Sequence, residues 1–120
     1  MHTQSKGILG KLIFAFHLIQ KGYTVLDPLN LGSGYDLVTE KEGVFSRIQV
    51  RYCTPKNGIL RVELERPEKI EAIGIYDSVN QKFYLIPVKA IQNKTEVWLR
   101  LIKPKNLQKN KINWAGQYEI

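Results

Sequence analysis

Apolar side chains at Ile8, Leu9, Leu12, Ile13, Phe16 and Ile19 recur at the spacing of one broad helical face. The pattern predicts a core helix over 5–20 that buries this face, with Ser5 able to cap its start and Gly22 its end. The period then shortens to two. "YTVLDP" reads as a short strand closed by Asp27-Pro28, and "LNLGSG" as a loop. Residues 35–39 and 44–53 form the arms of a hairpin around the glycine-containing turn "EKEG". Alternation along the second arm puts Arg47, Gln49 and Arg51 on one face and Ile48, Val50 and Tyr52 on the other.

After the turn "TPKNG", the segment "ILRVELE" is expected to add a third strand to this meander. "IEAIGIYD" pairs with "KFYLIPV" across "SVNQ", and its nearly unbroken apolar first half suits an interior strand. "VKAIQNK" predicts a short helix and "EVWLRLI" a last strand. One helix followed by several strands implies an α/β or α+β domain with a mixed central sheet. A chain of 120 residues holds a single core, so the domain is placed at 1–102, with a basic C-terminal tail at 103–120.

Composition narrows the chemistry. Apolar residues at 43% and charged residues at 24% are globular values, which excludes a largely disordered chain. Eighteen Lys and Arg against 11 Asp and Glu give a formal charge of +7, which favours a polyanionic partner through Coulomb attraction and counterion release. Lys103, Lys105, Lys109 and Lys111 lie in a stretch with no acid and are the candidate DNA-backbone contacts. The single cysteine, Cys53, leaves no disulfide framework and no zinc cluster, so a reducing, cytoplasmic setting and a buried thiol are expected. The run "GILGKLIFAFHLI" is interrupted by Lys11 and His17 and falls short of the roughly 20 apolar residues that span a bilayer, so no membrane partner is expected. His17, in mid-helix, builds no nucleophile and base arrangement, and "GILG" is no phosphate loop. Glu63 and Glu65 are expected to pair with Arg61 or Arg66, and Trp98 and Trp114 to pack in the core.

Asp36 heads the first hairpin strand in "GYDLVTEKEGVFSRIQVRYCTP", and Gln49 and Arg51 sit two apart on the second. Together with the opening "MHTQSKGILGKLIFAFHLIQKGYTVLDPL" and the strands "AIGIYD" and "FYLIPV", this order resembles the PD-(D/E)xK nucleases. Within them it is most similar to the small group I intron homing endonucleases, over about residues 1–88. The resemblance implies a restriction-endonuclease-like mixed central β-sheet flanked by helices, and Mg²⁺-dependent phosphodiester hydrolysis of duplex DNA. It also implies that Asp36 and Gln49 are metal ligands and that Arg51, with them, is a catalytic residue clamping the scissile phosphate. Two positions depart from the family: Arg51 stands where a lysine is expected, and Lys11 where the first helix carries an acid. A guanidinium grips phosphate well but activates water poorly, and a lysine facing a cation repels it, so metal affinity is expected to fall. The alternative is a catalytically degenerate relative that acts only as a DNA-binding or assembly module. Either way, gripping both strands of a duplex calls for two copies of one site, hence a homo-oligomer, dimer or tetramer.

Overall fold

The computed structural model describes residues 1–91, 95–102 and 112–120. Helix α1 runs over Thr3–Gln20. It starts earlier than the expected cap at Ser5: His2 holds the N-cap position and makes no side-chain capping bond. It ends as expected, with Gly22 in the left-handed region at φ 93° directly after the last turn. Strands β1 (Thr24–Leu26), β2 (Leu37–Lys41) and β3 (Val44–Cys53) follow, then β4 (Ile59–Glu63), β5 (Ala72–Asp77), β6 (Lys82–Pro87) and β7 (Glu96–Arg100). The β2–β3 turn is tighter than predicted. Glu42 and Gly43 both take positive φ, the two-residue turn whose twist matches that of the flanking strands.

The predicted meander is corrected at β4. The main sheet has the order β1-β2-β3-β5-β6, and β4 leaves it to pair with β7 in a separate two-stranded ribbon. β5 takes the place beside β3 and runs parallel to it, from Ile48 opposite Ala72 to Cys53 opposite Asp77. A parallel pair needs a long crossover, and residues 54–71, including β4 and a short 3₁₀ turn at Pro67–Lys69, supply it. All six residues of β5 are buried, the environment in which a nearly unbroken apolar strand is stable. The stretch expected as a second helix is a 3₁₀ turn over Val88–Ala90, its later part lying outside the described residues.

The two faces of the sheet have different covers. On one, Phe14 and Leu18 of α1 pack against Ile48, Val50, Ala72 and Tyr76. On the other, Leu60 and Val62 of β4 with Val97 and Leu99 of β7 pack against Ile73, Ile75, Tyr84 and Ile86. Cys53 is buried in this second core as expected, and burial pushes its thiol pKa up. The chain's last residues return to both cores: Ala115 is buried in this second one, while Ile120, whose amide donates to the Phe83 carbonyl, packs on the helix side. The expected contact lysines Lys103, Lys105, Lys109 and Lys111 all lie outside the described residues.

The helix buries a different stripe from the predicted one. Gly10, Phe14 and Leu18 face the sheet, while Ile8, Leu12, Phe16 and Ile19 are 63%, 62%, 64% and 59% exposed. Gly10 lets the helix backbone approach Tyr52, and Phe14 lies over Gly74, where a Cβ would meet its ring at 2.7 Å. Because α1 is apolar on nearly every side, its period alone could not choose the face; the two glycines do. The tryptophans are also corrected: Trp98 is 50% and Trp114 38% exposed.

Candidate functional site

The site forms where the β2–β3 ladder stops. Its last pair is Leu37 opposite Ile48, and β3 continues alone on that side to Cys53. Asp36, one residue before β2, turns into this gap. Its amide donates to the Ile48 carbonyl at 2.9 Å, and its Oδ2 accepts the Val50 amide at 2.8 Å. A carboxylate thus takes over where the ladder fails, fixed on β3 beside Gln49 and Arg51.

Gln49 is only 4% exposed, which excludes the usual solvent-facing role of a polar strand residue. Its Nε2 donates to the carbonyls of Gly34, at 3.3 Å, and Glu65. Gly34 at φ 89° turns its carbonyl inward, a conformation that side-chain-bearing residues rarely hold. With both carbonyls accepting from the amide nitrogen, Gln49 Oε1 is aimed at Arg51, whose Nη2 lies 3.2 Å away. Arg51 Nη1 donates to the Val50 carbonyl at 3.1 Å and stands 3.7 Å from Asp36 Oδ2. The guanidinium therefore lies between the two oxygens named as metal ligands.

A cleft of about 400 Å³ opens onto this trio. Asn30, Gly32, Ser33 and Gly34 wall one side, Glu65 and Arg66 another, and Lys11 reaches in from α1. Lys11 Nζ is bound to Asp27 Oδ1 at 2.6 Å. Arg47, on the same strand face, is held by Glu71 through its backbone amide and its guanidinium, which lowers the Glu71 pKa and takes Arg47 out of the site. The expected pairing of Glu63 and Glu65 with Arg61 or Arg66 is corrected: Arg61 pairs with Glu96 at 3.0 Å, and Glu65 forms no ion pair among the described residues. Arg66 was not singled out for the site by its sequence; its place after β4, where the crossover turns back at φ 44°, is what brings it to the cleft.

A hard divalent cation needs several oxygen ligands, usually including one or two carboxylates. Among the described residues, no three His, Cys, Asp or Glu come together as a cage. Asp36 Oδ2 accepts a backbone amide and faces a guanidinium, and Gln49 Oε1 already accepts from that guanidinium. In this arrangement the donor set does not fit a divalent cation. It does fit an anion: a planar fork in a half-open cleft can bind phosphate oxygens bidentately.

Residues 1–68 match the profile of a family described as PD-(D/E)XK endonuclease. Among solved structures, the chain is similar to that of a bacterial homing endonuclease, I-Ssp6803I, with a TM-score of 0.76 and 21% identity, covering 99% of this chain and 89% of the other. At that identity the likeness shows the fold, a mixed sheet of restriction-endonuclease type. No curated protein matches the sequence significantly.

Proposed function

Given that the chain belongs to the PD-(D/E)XK endonuclease family, we propose that it binds duplex DNA, with a backbone phosphate received in the cleft by Arg51. The observation that carries this reading is the position of the Arg51 guanidinium, held between Asp36 and Gln49 at the mouth of a cleft. The formal charge of +7 supports it, since neutralising phosphates releases counterions from the duplex. Lys103, Lys105, Lys109 and Lys111 are proposed as further backbone contacts on their charge alone.

The protein acts as a homo-oligomer in this reading. Ile8, Leu12, Phe16 and Ile19 form an exposed apolar stripe along α1, and a helix apolar on nearly every side normally has a second surface against it. Two copies related by a twofold axis would meet both strands of a duplex alike.

A second reading, metal-dependent phosphodiester hydrolysis with Mg²⁺ at Asp36 and Gln49, has one observation in its favour: Asp36 Oδ2 and Gln49 Oε1 both stand against the Arg51 guanidinium, at 3.7 Å and 3.2 Å. The binding reading is preferred because Arg51 engages both of their oxygens. A gel shift at low salt, run beside plasmid incubation in Mg²⁺ and then Mn²⁺, separates the two. The expected result is a salt-sensitive shift with intact plasmid. Cleavage lost in Asp36→Ala would establish the second reading, and a plasmid neither bound nor cut would remove both.

A further inference from the structure

We propose that Arg51 alone closes the Asp36–Gln49 pair to divalent cations, and that Lys11, the other residue departing from the family pattern, plays no part in the exclusion. The two cations are placed differently. The Arg51 fork has Nη2 3.2 Å from Gln49 Oε1 and Nη1 3.7 Å from Asp36 Oδ2, so it covers the oxygens an ion would need. Lys11 Nζ is drawn 2.6 Å from Asp27 Oδ1, and that carboxylate compensates its charge. A like charge with its own counterion beside it repels a third ion weakly, whereas one standing in the coordination position excludes it by contact as well as by field.

The remaining donors stay in place without Arg51. Asp36 is fixed by the Ile48 carbonyl and the Val50 amide, and Gln49 by the carbonyls of Gly34 and Glu65. Glu65 lines the same cleft, with its backbone carbonyl turned onto Gln49. Removing one guanidinium therefore leaves a preorganised carboxylate and amide oxygen facing an open cleft, the start of an oxygen site for Mg²⁺ or Mn²⁺. This deepens the DNA-binding reading of the cleft and rests on it only for the identity of the site.

The test is Mn²⁺ titration of the full chain without DNA, followed by loss of the free-ion EPR signal, so that its failure is distinguishable from failure to bind DNA. Arg51→Met keeps the apolar stem and Lys11→Met serves as comparison; thermal unfolding of each verifies the fold. We expect Arg51→Met to bind Mn²⁺ about tenfold or more tighter than the parent, the scale set by removing a like charge at contact distance. Lys11→Met should match the parent, and Arg51→Met with Asp36→Asn should lose the gain. Arg51→Gln, smaller and still polar, replaces the methionine variant if that one does not fold. Equal Mn²⁺ affinity in parent and Arg51 variant, a gain in Lys11→Met, or a gain that survives Asp36→Asn would each overturn the proposal.

Discussion

Arg47 and Arg51 share one face of β3, yet different carboxylates claim them, and this decides which one the cleft receives. Glu71 takes Arg47 through its backbone amide and guanidinium, while Arg51 stands only 3.7 Å from Asp36 and is left to the cleft. The Glu71 pKa lies below its ordinary 4.5, chiefly through the hydrogen bond from Arg47. A depressed folded pKa contributes stability that is present above the unfolded value and lost as pH falls through the folded one. Glu71→Gln should therefore unfold at a lower temperature than the parent at neutral pH, and the gap should shrink once the pH drops below about 4.5, measured by thermal melts across pH. Much of this face was legible in the sequence: period-two alternation brings Gln49 and Arg51 together, and the hairpin brings Asp36 to them. The Gly34 and Glu65 carbonyls that orient Gln49 were not, because backbone acceptors from remote segments leave no mark in residue type.

Helix α1 shows where periodicity runs out. Its hydrophobic residues surround the axis, and contact with β3 and β5 was decided by Gly10 and Gly74, which let Tyr52 and Phe14 come close. Gly74→Ala would drive a Cβ to 2.7 Å from the Phe14 ring, so an overpacking loss of about 1–3 kcal/mol is expected in urea unfolding. Combining it with Phe14→Leu should recover part of that loss. The exposed stripe makes a separate prediction. Phe16 is 64% exposed, so Phe16→Asp should leave the fold and its helical circular dichroism intact while reducing the mass seen by light scattering to that of one chain. An unchanged mass, whether monomer or oligomer, would remove the stripe as a self-association surface. Strand β4 was misplaced for a related reason: Leu60 and Val62 alternate as any half-buried strand does, and alternation does not say which sheet the strand joins.

Over the whole molecule, the charge of +7 and the crossover fold act together. The parallel β3–β5 pair forces residues 54–71 across the sheet, and their return at Glu65 and Arg66 walls the cleft that Asp36 opens at the start of β2. Class and mixed sheet followed from the order of helix and strands, and the family from that order together with Asp36, Gln49 and Arg51 on the hairpin. The cleft needed the crossover, which sequence period does not specify. Everything in the proposed function turns on Arg51 meeting a DNA phosphate there. Anisotropy of a labelled duplex, titrated with the parent and with Arg51→Met across a series of KCl concentrations, tests it most directly. The predicted result is a linear fall of log affinity with log salt, with weaker binding and a slope smaller by about one in the variant. Identical affinity and slope for the two proteins, or no binding by the parent at low salt, would contradict it.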